Sequence, residues 1–227
     1  MPSKSRAYQV SATPITIFAH LLFISVTILV LVWLLHFREG LAFSSTNKAK
    51  IFNLHVFFMA IGFILFTGEA IMAYKSVHGD MKAQKLVHLV LHLIALACGI
   101  LGITAVFKFH SEMGYAHMYT LHSWLGMGTI CLFGLQWLFG FFSFFFPGTE
   151  GPVRARLAPW HAFMGITIFL IGIAAALAGI SQKFIFLGLK REEEAYIVNF
   201  TGILILLFGI TVALTVILPQ GYDIQLS

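Results

Sequence analysis

Four histidines, His55, His88, His122 and His161, each stand about one helical turn inside the start of a long apolar run. An imidazole placed in hydrocarbon is costly, so each one points to a task such as holding a metal, relaying a proton or pairing with another polar group. The pattern is densest in Lys85-Leu86-Val87-His88-Leu89-Val90-Leu91-His92, where a cation and two imidazoles open an apolar run that ends near Phe107.

The elements that must position these groups follow from composition. The chain has 227 residues, of which 59% are hydrophobic and 10% charged, whereas a soluble domain carries about 25% charged residues. Six apolar runs, at about 14–37, 51–74, 86–107, 119–146, 159–181 and 196–218, come near or exceed the roughly 20 residues that cross a bilayer. The expectation is an all-α polytopic membrane protein forming one domain over 1–227, with six transmembrane helices and a four-helix core made by spans 2–5. The first run follows Lys4 and Arg6 but exceeds the apolar core of a signal peptide, so it is read as a retained span. Pro159 is expected to open span 5, with loops over 108–118, 149–158 and 182–195. Cys98 and Cys131 fall in mid-span and read as small packing residues. The net charge of +5 comes without a basic cluster, which excludes nucleic acid and leaves membrane lipid as the partner. Lys and Arg divide seven to seven between the two sides, with Lys4, Arg6, Lys75, Lys82, Lys85, Arg154 and Arg156 on the amino-terminal side. Charge therefore sets no orientation.

Successive spans alternate direction, which pairs His55 with His122 near one face and His88 with His161 near the other. Imidazole pairs on facing helices suit axial ligation of haem iron, and bundle cores are where such cofactors sit. Gly126 and Gly165 lie four residues after His122 and His161, where a missing side chain gives a flat macrocycle clearance; Gly62 and Gly102 extend the faces of His55 and His88. His92, one turn after His88, reads as a supporting group. His20 and His36 read as packing or interfacial residues, and Glu69 as a carboxylate reaching the interface or a loop lysine. The alternative from another class is a proton-coupled or metal-ion transporter using the intramembrane histidines. It requires carboxylates along a route and broken helices at mid-membrane, and no span has an internal proline break.

The segments Phe52-Asn53-Leu54-His55, Lys85-Leu86-Val87-His88, Tyr119-Thr120-Leu121-His122-Ser123-Trp124 and Pro159-Trp160-His161 resemble the cytochrome b561 family. Glu69-Ala70, Ala73-Tyr74-Lys75-Ser76-Val77 and Lys108-Phe109-His110 are most similar to its plant ascorbate-dependent members. The resemblance implies a homodimeric transmembrane oxidoreductase with two haem b per chain, bound by His55/His122 and His88/His161. It implies both termini in the cytoplasm, in an endomembrane (vacuolar or vesicular) or the plasma membrane. Cytoplasmic ascorbate would meet Lys85, Arg154 and Lys82, and monodehydroascorbate or ferric chelates would meet Phe109, His110 and Tyr119 opposite. Two positions depart from the family pattern: Val56, where many relatives have proline, and Met81, where close relatives have a second lysine.

Overall fold

The computed structural model describes residues 11–219, so Lys4, Arg6 and the tail after Pro219 lie outside the described residues. Six helices are each long and apolar enough to cross a membrane: α1 (Ala12–Phe37), α2 (Ala49–Ser76), α3 (Met81–Met113), α4 (Leu121–Phe145), α5 (Gly151–Phe186) and α6 (Glu193–Ile217). No strand occurs among the described residues. Outward faces are apolar, with Leu35, Leu135 and Phe142 all more than half exposed, an aggregation hazard in water and ordinary against lipid. Several hydroxyls within the spans return to their own helix: Thr27 donates to the Phe23 carbonyl, Thr129 to Leu125 and Thr201 to Ile197, which satisfies these three without solvent.

Helices α2 to α5 form the core, and α1 and α6 pack on each other along one side of it. Phe208 of α6 is fully buried against Gly68 of α2. Polar ties fasten this outer pair. Trp33 and Arg38 at the end of α1 both bond Glu194 near the start of α6. Glu69 pairs with a histidine rather than a loop lysine: it bonds Nδ1 of His20 at 2.9 Å, while Nε2 of the same ring bonds Ser76 at 3.1 Å. The buried amide of Asn53 donates to the carbonyls of Arg38 and Gly40 and holds the α1–α2 connection over the core.

Three connections are shorter than the sequence suggests. Helix α5 starts at Gly151, with Pro152 in its first turn, and Pro159 lies inside it. Ala158, Pro159 and Trp160 are all exposed, so the carbonyl that the proline ring leaves without an N–H faces outward rather than into the bundle. Helix α3 runs on through Lys108, Phe109 and His110 and stops only at Gly114, whose φ of 70° caps it. Helix α5 likewise continues through Lys183 to Phe186. Polar residues alone did not end these helices, because nothing at those positions opposes helical φ and ψ.

A methyl group added at Gly68 would fall 2.4 Å from the Phe208 ring, whereas one at Gly202 would meet nothing nearer than 3.7 Å. Gly68→Val should cost about 1–3 kcal/mol by overpacking, read as an earlier thermal transition of the purified protein. Gly202→Ala should be neutral or slightly stabilising, since Ala exceeds Gly in helix propensity by about 1 kcal/mol.

Candidate functional site

The structure brings the four histidines together in two pairs. The ring centres of His55 on α2 and His122 on α4 are 6.0 Å apart, and those of His88 on α3 and His161 on α5 are 6.2 Å apart. Three rings are held by the same device. Nδ1 of His55 donates to the Gly102 carbonyl at 3.0 Å, Nδ1 of His88 to Ala70 at 2.8 Å, and Nδ1 of His122 to Ala175 at 2.8 Å. A carbonyl only accepts, so Nδ1 carries the hydrogen and the lone pair sits at Nε2, the nitrogen a metal takes. These carbonyls lie in mid-helix and each accepts a second hydrogen bond; the small residues Gly102, Ala70 and Ala175 leave room for the ring to reach them. His161 differs. Its Nδ1 and its own carbonyl lie 2.9 and 2.7 Å from the side-chain amide of Gln136 on α4.

The anchors obey one spacing. Gly102 lies fourteen residues beyond His88, Ala175 fourteen beyond His161 and Gln136 fourteen beyond His122, each on the antiparallel neighbour of the ring it holds. On α2, Ala70 lies fifteen beyond His55. Of the four core helices only α2 has a π-helical stretch between its two levels, Phe58–Leu65, and that wider winding absorbs the extra residue. At 1.5 Å per residue the two levels stand about 21 Å apart.

Glycines make space around the rings. A Cβ at Gly179 would lie 2.6 Å from Cε1 of His122, and one at Gly140 would lie 2.9 Å from Cε1 of His161; both contacts cross between α4 and α5 and escaped the sequence reading. Gly126 faces open space, and Gly165 faces the Gln136 amide at 3.6 Å. Gly62 and Gly102 do not extend the histidine faces as expected: they meet Cys98 and Met59 in the α2–α3 contact.

Beside His55 and His122 lies a cavity of about 590 Å³, within the size range of small-molecule and cofactor sites. Phe109, His110 and Tyr119 line it, together with Phe52, Gln182 and Lys183, which the sequence reading did not single out. His110 donates from Nδ1 to the Ala116 carbonyl and stacks on His117 at 5.5 Å. At the other level the half-buried Lys85 is about one turn outward of His88, and the exposed Arg154 is two turns outward of His161. Lys82 is also exposed, at the start of α3. None of the three is ion-paired among the described residues. His92 sits inward of His88, ring centres 4.4 Å apart, and its buried Nδ1 has no hydrogen-bond partner among the described residues.

The residues suit a bound haem at each level. Two imidazole nitrogens about 2 Å from one metal place their ring centres about 6 Å apart, and the separations of 6.0 and 6.2 Å fit this. The fixed tautomer of three rings, the clear space at Gly126 and the unpartnered Nδ1 of His92 agree with it. Among the described residues no three His, Cys, Asp or Glu side chains converge as a site for a bare metal ion, and Glu69 is occupied by His20 outside the four-helix core. The transport alternative thus lacks its carboxylate route.

The profile of eukaryotic cytochrome b561 matches residues 54–187, from just before the first of the four histidines to beyond the last. A probable ascorbate-specific transmembrane electron transporter of Oryza sativa is 47% identical, over 94% of both chains. Transmembrane ascorbate ferrireductase 1 of Arabidopsis thaliana is 46% identical, over 92% of this chain and 89% of its own. A transmembrane ascorbate-dependent reductase of Mus musculus is 38% identical, over 86% and 79%. With two imidazole pairs set at two depths inside the matched region, and with relatives this similar over 79–94% of their own length, the chain belongs to the cytochrome b561 family.

Proposed function

We propose that this protein carries single electrons across a membrane from ascorbate on one side to an acceptor on the other, as an oxidoreductase with two haem b per chain. The carrying observation is the pair of imidazole couples with ring centres 6.0 and 6.2 Å apart, in which Nδ1 of His55, His88 and His122 donates to a backbone carbonyl and leaves Nε2 of those three rings for iron. The names of the relatives, ascorbate-specific transporters and ascorbate ferrireductases, support ascorbate as the donor. When bound, the haems supply reversible one-electron chemistry.

The chain's own residues do the rest. Lys85, Arg154 and Lys82 present unpaired cations outside His88 and His161. The amino-terminal ends of α3 and α5 lie at this face and add positive dipole ends. Ascorbate is a monoanion at neutral pH, so this face gathers it and orients its enediol through charge-assisted hydrogen bonds. Phe109, His110 and Tyr119 receive monodehydroascorbate or a ferric chelate at the opposite cavity. Between the levels, Phe63, Ile130 and Phe133 are buried apolar packing that excludes water. The protein works as a single-domain homodimer in an endomembrane or the plasma membrane, with both termini and the Lys85/Arg154 face in the cytoplasm.

Ligand removal tests the core of this reading. His122→Ala and His161→Ala should each leave about one b haem per chain in place of two, and the double variant should leave none, measured by haem extraction against protein concentration. Wild-type protein with one haem per chain, or with no reduced b-type spectrum, would refute it. A second test separates the faces. Lys85→Ala or Arg154→Ala should raise the half-saturating ascorbate concentration by up to about tenfold, because solvent screens these half-buried and exposed positions, while dithionite reduction is unchanged. His110→Ala should leave ascorbate entry intact and slow re-oxidation; the reverse pattern would exchange the two faces.

A further inference from the structure

Lys183 falls in the 182–195 stretch that the sequence reads as a loop, yet it projects from the last turns of α5 into the lining of the cavity beside His55 and His122. It stands one turn beyond Gly179, the residue in contact with the His122 ring. Its Nζ lies 3.9 Å from the centre of the Phe52 ring, and Phe52 in turn touches Phe109 and His55. Among the residues lining the cavity it is the one Lys or Arg, and no Asp or Glu lines it. The carboxylate that acts on it from outside, Glu194, is already bonded by Arg38 and Trp33. Among the described residues Lys183 has no ion-pair partner.

A cation held over an aromatic face is attracted by the ring's electrons, which positions it without neutralising it. In a largely apolar cavity the uncompensated charge attracts an anion more strongly than it would in water. Packing alone would be served equally well by a leucine or methionine at this position, and the ammonium group would then go unused.

We propose that Lys183 is the anion-recognising group of this cavity, taking an anion between itself and His110 or Tyr119. The proposal rests on the di-haem reading and adds a residue to its acceptor side. Two sources share the chemistry: a carboxylate of the porphyrin bound at His55 and His122, or the anionic group of the electron acceptor.

The test uses the full chain in vesicles loaded with ascorbate, with ferricyanide, a trianion, or hexaammineruthenium(III), a trication, added outside. If the acceptor is the occupant, Lys183→Gln raises the half-saturating ferricyanide concentration about tenfold and leaves the ruthenium complex unaffected, and Lys183→Arg restores the wild-type value. If the porphyrin carboxylate is the occupant, both acceptors behave as in wild type. A redox titration followed by absorbance then finds one b centre about tenfold more oxidised at a given potential, which is about 59 mV for one electron, again restored by Lys183→Arg. Lys183→Met, which keeps the stem over Phe52, replaces the Gln variant should that one lose its haem spectrum. The proposal is overturned if the variant matches wild type in both readouts, or if Lys183→Arg is as impaired as Lys183→Gln. A wild-type protein without two b haems would instead overturn the reading on which it rests.

Discussion

The arrangement depends on a hydrogen bond from a histidine Nδ1 to a mid-helix carbonyl of the antiparallel neighbour. In hydrocarbon an imidazole has no water to satisfy its second nitrogen, so it must find a protein acceptor or lose several kcal/mol. Using a carbonyl fixes the tautomer and the ring plane together. It also links the two levels: His55 on α2 is held by α3 at Gly102, and His88 on α3 is held by α2 at Ala70. Each helix thus presents a ligand candidate at one end and an anchor for its neighbour's ligand at the other.

The α4–α5 pair repeats the scheme with one change. His122 is anchored by the Ala175 carbonyl, but His161 is anchored by the side-chain amide of Gln136. A backbone acceptor persists whatever residue supplies it, provided the side chain is small. A glutamine anchor depends on the residue itself, and its amide has both a donor and an acceptor to offer. The surroundings of the two levels differ as well. His55 and His122 border a cavity of about 590 Å³ lined by aromatic rings, and His88 and His161 stand behind exposed cations at helix starts.

Six spans, their alternation and the four histidines could be read directly from the sequence, because hydropathy and intramembrane polar residues are strong signals. The open space beside Gly126 agrees with its offset from His122. Gly179 and Gly140 were not, since each serves a histidine on a different helix and no spacing along one chain reveals that contact. Gln136 was hidden for the same reason. Lys183 was missed because a lysine beyond an apolar run looks like the start of a loop, and only the continuation of α5 to Phe186 turns it back over Phe52. The start of α5 was misplaced at Pro159 because a proline reads as a helix opener, while Pro152 already fills that role.

The π-helical stretch in α2 also bears on which changes of length the protein can survive. One residue more or fewer between the two levels of an α-helix turns everything beyond it by roughly 100°, enough to swing a ligand or an anchor off its face. In α3, α4 and α5, where the levels are fourteen residues apart, a single deletion between them would break the bracing. In α2 the wide turns of Phe58–Leu65 already store one residue in excess. A deletion there can be met by winding back to ordinary helix, with His55 and Ala70 still facing α3. Among the four core helices, α2 alone holds slack.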